Sequence, residues 1–340
     1  MGNFEPIISA IVGFVVCAAM GIPFIPYLRK LKYGQTILEE GPKWHKSKQG
    51  TPTMGGIMII AGALVGLLSA FGFSALGDKS LVYEMKSSIK LVSLVAGVLF
   101  ALMCGFIGWM DDYIKVVKKR NLGLTAKQKT ALQLLATAAY LAALALGGMD
   151  STWIPFIGDV NIASGVGLVF WPIAFVFIYY IVNAVNLTDG IDGLASSVTL
   201  VTACAFVLIA GRVNMLAMNA LSAALGGGCV GFLLWNSKPA KVFMGDTGSM
   251  FLGGAIVAIA FGIGRPILLI FAGIVYILEA LSVVLQVFWY KKTKKRIFKM
   301  SPIHHHFEMS GWSEEKICFI FSAVALIGCI IAALPVYLGW

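Results

Sequence analysis

The sequence predicts an all-α, polytopic integral membrane protein with about ten transmembrane helices. Of its 340 residues, 59% are hydrophobic and 12% are charged, whereas soluble domains carry about a quarter charged residues. Apolar runs of about 20 residues recur along the chain, each long enough to cross a hydrocarbon core of about 30 Å. Helices rather than strands are expected, because a helix satisfies its own backbone hydrogen bonds within lipid.

The predicted transmembrane segments follow one another along the whole chain, and no linker separates them into domains. They span about 4–28, 54–73, 89–110, 128–148, 168–187, 193–210, 215–235, 248–264, 267–290 and 316–337. In the first segment the positive charges follow the apolar run, whereas a signal peptide carries them before it, so the segment is expected to remain as a helix. The sequence therefore predicts a single transmembrane domain over residues 1–340.

Lysine and arginine are distributed unequally between the two predicted sides of the membrane. One side, counting Lys316 at the start of the last segment, carries 21 of the 26 basic residues. By the positive-inside rule this side is cytoplasmic, so both termini are expected to be extracytoplasmic. The predicted cytoplasmic loops span about 29–53, 111–127, 187–193, 236–247 and 291–315.

The formal net charge of +10 has two explanations. Membrane orientation alone requires basic cytoplasmic loops. The same charge would also attract anionic lipid headgroups or an anionic soluble substrate. Binding to nucleic acid is not expected, because the chain has no folded basic domain to carry it.

Five aspartates from three separate parts of the chain are predicted to lie at the same cytoplasmic boundary. Asp111 and Asp112 end the third segment, Asp189 and Asp192 follow the fifth, and Asp246 precedes the eighth. Such convergence of acidic residues at one membrane surface favours a functional site.

Each of these aspartates also has a structural explanation. Asp246 or Thr247 could cap the N-terminus of the eighth helix, and the pair after the fifth segment lies among glycines that favour turns. Asp111 and Asp112 are harder to explain structurally, because two adjacent carboxylates repel and lie at the unfavourable end of a helix dipole. A cation would relieve both costs.

Phosphoryl transfer is a reaction that uses carboxylates, lysines and glycine-rich turns at a membrane surface. Mg²⁺ prefers one or two protein carboxylates together with water and substrate phosphates, and it neutralises charge that develops on phosphate oxygens. Lysines hold phosphate, and a second carboxylate can deprotonate an attacking oxygen. The residues therefore predict a metal-dependent phosphate-transfer site at the cytoplasmic lipid interface.

Five motifs, in order along nearly the whole chain, resemble those of the polyprenyl-phosphate N-acetylhexosamine-1-phosphate transferases, and most closely the phospho-N-acetylmuramoyl-pentapeptide transferase branch. They are KQGTPTMGG (48–56), GWMDDYIKV (108–116), NAVNLTDGIDGL (183–194), WNSKPAKVFMGDTGS (235–249) and MSPIHHHFE (300–308).

The resemblance implies a transfer of phospho-MurNAc-pentapeptide from UDP-MurNAc-pentapeptide to undecaprenyl phosphate. The products would be lipid I, a peptidoglycan precursor, and UMP, and Mg²⁺ would be required. The resemblance also implies a homodimer in the bacterial inner membrane, with its active site on the cytoplasmic face.

The resemblance further implies roles for individual residues. Asp246 would be the Mg²⁺ ligand, Asp111 the base that acts on the lipid phosphate, and Asp112 a supporting or lipid-phosphate residue. Direct attack is favoured over a covalent aspartyl intermediate, because a base requires no second step. Positions matching the nucleoside pocket are Asn186, Asp189, Asp192 and Phe243, the last able to stack on uracil. Positions associated with substrate contact or activity are Lys48, Thr53, Lys127, Asn236 and Gln286.

Three consecutive histidines, His304, His305 and His306, occur in the last of the motifs. Consecutive residues of a helix do not face one point, so a zinc site made of all three is geometrically poor. An exposed loop is one interpretation. Because imidazoles can hydrogen-bond phosphate or sugar, we expect His304 and His305 to line the donor pocket and His306 to hold the loop.

Glu279 lies near the middle of the ninth segment, where a carboxylate is unfavourable and often functional. We expect either a paired structural group or a bent helix that exposes Glu279 to a polar groove, without a catalytic role. Glu279 also favours the alternative of a lipid or solute transporter, whose site would lie at the membrane midplane. Within the resembling family, the alternative is transfer of GlcNAc-1-phosphate, or a related sugar phosphate, to polyprenyl phosphate.

Overall fold

The structure, a computed structural model, describes residues 4–31, 48, 50–117 and 123–340. Parts of the predicted loops 29–53 and 111–127 therefore lie outside the described residues. Within the described ranges, ten helices are long and apolar enough to cross a membrane. The prediction of a polytopic, nearly all-helical protein with about ten transmembrane helices is confirmed.

The described part of the chain contains ten long helices and three short ones. The ten long helices are α1 (Glu5–Lys30), α2 (Gly56–Leu76), α4 (Ser88–Val117), α5 (Ala126–Leu146), α6 (Gly167–Thr188), α7 (Leu194–Arg212), α8 (Leu216–Asn236), α9 (Gly245–Gly262), α11 (Ile274–Thr293) and α13 (Glu314–Leu338). Three shorter helices are α3 (Ser80–Glu84), α10 (Leu269–Ala272) and α12 (Ile303–Glu308).

A small antiparallel hairpin interrupts the helical pattern between α5 and α6. Strand β1 (Ser151–Ile154) pairs with β2 (Gly158–Asn161), with Thr152 opposite Val160. The all-α prediction misses this hairpin. Strands of four residues are too short to show a hydrophobic alternation that stands out from an ordinary loop.

Helix α9 forms the centre of the molecule, and nearly all of its side chains are buried. Small residues let neighbouring helices approach it closely. A Cβ atom at Gly56 of α2 would overlap the Cα of Gly248, and one at Gly108 of α4 would overlap the backbone carbonyl of Asp246. These contacts bring the start of α2 and the end of α4 against the first turn of α9.

Three predicted boundaries differ from the structure in ways that affect the site. Helix α4 continues to Val117, so Asp111 and Asp112 lie inside the helix rather than at its end. Lys115 lies one helical turn after Asp111, and its ammonium group pairs with the Asp111 carboxylate at 2.5 Å. This pair stabilises the turn by which α4 exceeds the predicted segment. Asp246 lies in the first turn of α9 rather than before it.

The third difference is in the predicted loop 291–315, which contains α12 with all three histidines. The ninth predicted segment, 267–290, is also divided. A 3-10 turn (Pro266–Leu268) and α10 precede α11, because Pro266 and Gly273 interrupt a continuous helix.

Candidate active site

The ends of α4 and α6 and the starts of α5 and α9 meet around three carboxylates. The side chains of Asp111, Asp112 and Asp246 each present an oxygen atom within 4.8 Å of the other two. Asp111 and Asp112 are buried and Asp246 is half-buried. We call these three residues the acidic cluster.

Asp112 caps the N-terminus of α9 from a different helix. Its Oδ2 accepts hydrogen bonds from the Thr247 backbone N–H (2.9 Å) and the Thr247 hydroxyl (2.7 Å), and its Oδ1 accepts the Asp246 N–H (3.2 Å). A carboxylate at a helix N-terminus is favourable for both the unpaired N–H groups and the helix dipole. The hypothesis that Asp246 or Thr247 caps this helix is therefore wrong, because Asp112 does so.

Asp246 is held by three other side chains. Its Oδ2 pairs with the ammonium groups of Lys115 (3.1 Å) and Lys129 (2.9 Å). Its Oδ1 accepts a hydrogen bond from the Asn186 amide (2.9 Å), which also donates to the Ser249 hydroxyl (2.8 Å). Four helices therefore fix the position of this one carboxylate.

Asp111 connects α4 to the segment that precedes α5. Its Oδ2 pairs with Lys115, and its Oδ1 accepts the backbone N–H of Leu124 at 2.8 Å. A Cβ atom at Gly123 would overlap the Asp111 carboxylate, so glycine is needed for this close approach.

The acidic cluster has the composition of a divalent-cation site. Carboxylate oxygens are the ligands that Mg²⁺ prefers in proteins. Among the described residues, two lysines contact these three carboxylates. The residues present therefore fit a hard divalent cation.

A second group of charges lies where the 48–56 stretch meets α13. The Lys48 ammonium group donates to Asp192 Oδ1 (2.7 Å) and Glu314 Oε2 (2.6 Å). Asp192 Oδ2 accepts the backbone N–H of Ala240 (3.0 Å), and its own backbone N–H donates to Glu314 (3.1 Å). Burial opposes the charged form of Lys48, but these two carboxylates outweigh it and raise the lysine pKa above its ordinary value.

Asp189 is half-buried at the end of α6, in the loop 189–193 that precedes α7. Burial, followed by repulsion from the carboxylates of Asp246 and Asp112, raises the pKa of Asp189 well above its ordinary value. The neutral acid that this shift favours can donate a hydrogen bond as well as accept one.

Backbone hydrogen bonds join the 48–56 and 235–249 stretches. The Phe243 N–H donates to the Pro52 carbonyl (2.8 Å), and the Phe243 carbonyl accepts the Gly55 N–H (2.8 Å). The Thr53 side chain is buried beside Gly245, and the Phe243 side chain is half-buried. Two motifs almost two hundred residues apart thus form one wall next to the acidic cluster.

The remaining predicted substrate contacts occupy different surroundings. Asn236 is buried, with Oδ1 accepting the Gly193 N–H (3.0 Å) and Nδ2 donating to the Val242 carbonyl (2.9 Å). Gln286 uses its amide to hold the backbone of residues 297–298. Lys127 is exposed in the first turn of α5. Direct substrate contact by these three residues stays a prediction.

Each of the three histidines has a different polar partner. His304 is fully buried and its Nδ1 lies 3.0 Å from Glu279 Oε2, which confirms the expectation that Glu279 is paired. The Nδ1 of His305 lies 2.6 Å from Glu308. A donor-binding role for His304 and His305 stays a prediction.

His306 stabilises the segment that precedes α12. Its Nδ1 accepts the backbone N–H of Lys299 (3.1 Å), and its ring packs edge-on against Phe298 with centroids 5.8 Å apart. The expectation that His306 holds the loop is confirmed.

Known proteins resemble this chain over nearly its whole length. It is 44% identical over 332 residues to the phospho-N-acetylmuramoyl-pentapeptide-transferase of Halalkalibacterium halodurans, covering 98% of this chain and 97% of the relative. The transferases of the same name from Bacillus cytotoxicus (43% over 337 residues) and Bacillus thuringiensis (44% over 338 residues) are covered equally. The chain belongs to the phospho-N-acetylmuramoyl-pentapeptide-transferase family.

Two sequence patterns locate this family membership on the chain. The glycosyl transferase family 4 pattern matches residues 93–264, which contain the acidic cluster. The phospho-N-acetylmuramoyl-pentapeptide-transferase signature 1 matches residues 48–60, which contain Lys48 and Thr53. The resemblance inferred from the motifs is confirmed.

Several residues of the site in this family member were not singled out from the sequence. Lys115 had a signal, since it lies one helical turn after Asp111. Lys129 and Glu314 are one charge among several in their segments, so no local pattern marks them. Ser249 lies inside a matching motif, although its bond to Asn186 depends on a distant helix.

Proposed function

We propose that this chain transfers phospho-MurNAc-pentapeptide from UDP-MurNAc-pentapeptide to undecaprenyl phosphate, and thereby produces lipid I and UMP for peptidoglycan synthesis. One observation carries the proposal: the acidic cluster and its two lysines are assembled from three helices in a chain that aligns over nearly its whole length with transferases of that name. Anionic phosphates and a divalent cation are the ligands that such a cluster suits.

The three residues of the acidic cluster have different proposed roles. Asp246 is the proposed Mg²⁺ ligand, and the metal, when bound, would neutralise charge that develops on phosphate oxygens. Asp111 is the proposed base. Asp112 acts by holding the first turn of α9, and with it Asp246, in place.

The proposed reaction is one direct displacement. Asp111 takes the remaining proton of the lipid phosphate, whose oxygen then forms a bond to the sugar-bearing phosphorus of the donor. The bond from that phosphorus to the bridging oxygen breaks, and UMP leaves with the bonding electrons. Lys115 and Lys129 lie where they can balance the charge of the phosphates.

The nucleoside end of the donor is assigned to Asn186, Asp189, Asp192 and Phe243. Phe243 would stack on uracil, and a neutral Asp189 would hydrogen-bond a base or ribose oxygen. Lys48 and Asn236 support this pocket by fixing its loops, and Gln286 and His306 do the same for residues 297–299. Thr53, Lys127, His304 and His305 complete the proposed set.

The family and the ten apolar helices support a bacterial inner-membrane enzyme. The excess of basic residues on the side of the acidic cluster supports a cytoplasmic active site. We propose one transmembrane catalytic domain over residues 1–340 that functions as a homodimer.

The choice of donor substrate distinguishes this function from transfer of GlcNAc-1-phosphate. Purified protein with Mg²⁺ and undecaprenyl phosphate is expected to release UMP from UDP-MurNAc-pentapeptide at least about 100-fold faster than from UDP-GlcNAc, a difference of about 2.7 kcal/mol. A faster reaction with UDP-GlcNAc would establish the alternative. Movement of substrate across vesicles at an unchanged rate in Asp246→Asn would instead favour a transporter.

A further inference from the structure

Glu279 and His304 form a buried polar pair, and the proposed function assigns no role to Glu279. Glu279 lies inside α11 and His304 lies in the first turn of the short helix α12, and both side chains have 0% exposure. Their contact joins His304 Nδ1 to Glu279 Oε2 at 3.0 Å. Their other polar atoms, His304 Nε2 and Glu279 Oε1, have no hydrogen-bond partner among the described residues.

The far edge of the His304 ring faces the loop 189–193. A Cβ atom at Gly190 would overlap His304 Nε2, so the ring lies directly against the glycine backbone. Gly190 is flanked by Asp189 and lies two residues before Asp192. The α11 carboxylate, the imidazole and the loop are therefore stacked in that order.

This stack restricts the imidazole. The contact between His304 Nδ1 and the Glu279 carboxylate leaves Nε2 on the edge of the ring that faces Gly190. The same contact fixes the orientation of the ring, and the ring packs against the backbone of the loop at Gly190. A buried carboxylate in a membrane helix is unfavourable and is commonly retained for function, which argues against Glu279 as simple packing.

We propose that Glu279 is a positioning residue for the donor substrate. It acts through His304 on Gly190, and so fixes the loop that carries Asp189 and Asp192 in the geometry that the nucleotide end of the donor requires. The inference rests on the proposed function, because that function assigns this loop to the donor.

The first test separates donor binding from acceptor binding. Glu279→Leu removes the acceptor for the histidine N–H at similar volume, and we expect the KM for UDP-MurNAc-pentapeptide to rise about tenfold while the KM for undecaprenyl phosphate is unchanged. Glu279→Gln keeps an amide oxygen that can accept this N–H, so it is expected to restore the donor KM to within about threefold of wild type. Ser282→Ala is the matched control, because among the described residues its buried hydroxyl bonds only to the backbone carbonyl of Glu279.

The proposal would be overturned if Glu279→Leu raised the KM values for donor and acceptor equally. It would also be overturned if Glu279→Gln raised the donor KM as much as Glu279→Leu does. Failure of the wild type to release UMP from UDP-MurNAc-pentapeptide would instead reject the proposed function. The two failures are therefore distinguishable.

The second test does not depend on whether Glu279→Leu folds. Gly190 is exposed and its φ is not in the left-handed region, so the backbone there can accept alanine without conformational strain. The added methyl group would instead overlap the His304 ring. Gly190→Ala is expected to raise the donor KM about tenfold in the wild type and to have no further effect in His304→Ala protein, because coupled sites are non-additive. A Gly190→Ala effect of equal size in both backgrounds would contradict the proposed route.

Discussion

Asp246→Asn is expected to lower the rate of UMP release about 100- to 1000-fold at saturating substrates, the loss typical when one preorganised electrostatic group is removed. The change keeps the shape of the side chain and an oxygen that can accept the hydrogen bond from Asn186. It removes the charge that balances Lys115 and Lys129, and the proposed metal ligand with it. The measurement is the initial rate of UMP release by purified protein.

The matched control for this change is Asp159→Asn. Asp159 is an exposed aspartate on β2, away from the acidic cluster, so the same chemical change there is expected to leave the rate unchanged. An Asp246→Asn rate above about a tenth of wild type would show that this carboxylate is not central to catalysis.

Gly108→Ala is expected to reduce activity at least about 100-fold, although Gly108 bears no functional group, because small displacements of catalytic groups are costly. The added methyl would overlap the backbone carbonyl of Asp246, so α4 and α9 must separate. Asp112 would then be pulled away from the N–H groups of the first turn of α9. Overpacking of this kind costs about 1–3 kcal/mol, so the melting temperature should also fall.

The control for Gly108→Ala is Gly72→Ala in α2. Apart from the neighbouring residues of α2 itself, no described atom would lie within 4 Å of a Cβ at Gly72. Alanine is also a better helix former than glycine. Gly72→Ala is therefore expected to keep full activity and an equal or higher melting temperature. Normal activity in Gly108→Ala protein would show that the close approach of α4 and α9 is not required.

The helices could be predicted from the sequence because apolar length is a property of each segment alone. The ends of the helices could not, since they depend on partners elsewhere. The extra turn of α4 carries Lys115, which bonds to Asp246 131 residues later. The division of the ninth segment was indicated locally by Pro266 and Gly273, which an apolar count does not weigh.

The candidate site was predictable as a set of residues but not as a set of contacts. Aspartates at the predicted ends of three transmembrane segments identified the acidic cluster, and the family resemblance suggested roles. The capping of α9 by Asp112 was not foreseen, because it joins residues 135 positions apart. The pairing of Glu279 with His304 could not be predicted either, because His304 lies in α12, a six-residue helix in a stretch interpreted as a loop.

The central claim is that the acidic cluster is a metal-dependent phosphate-transfer centre. It is tested most directly by UMP release from UDP-MurNAc-pentapeptide and undecaprenyl phosphate, measured against Mg²⁺ concentration for wild type, Asp111→Asn and Asp246→Asn. The wild type is expected to require Mg²⁺ and both variants to lose activity at every Mg²⁺ concentration. Wild-type activity that persists after chelation of divalent cations, or full activity in both variants, would contradict the claim.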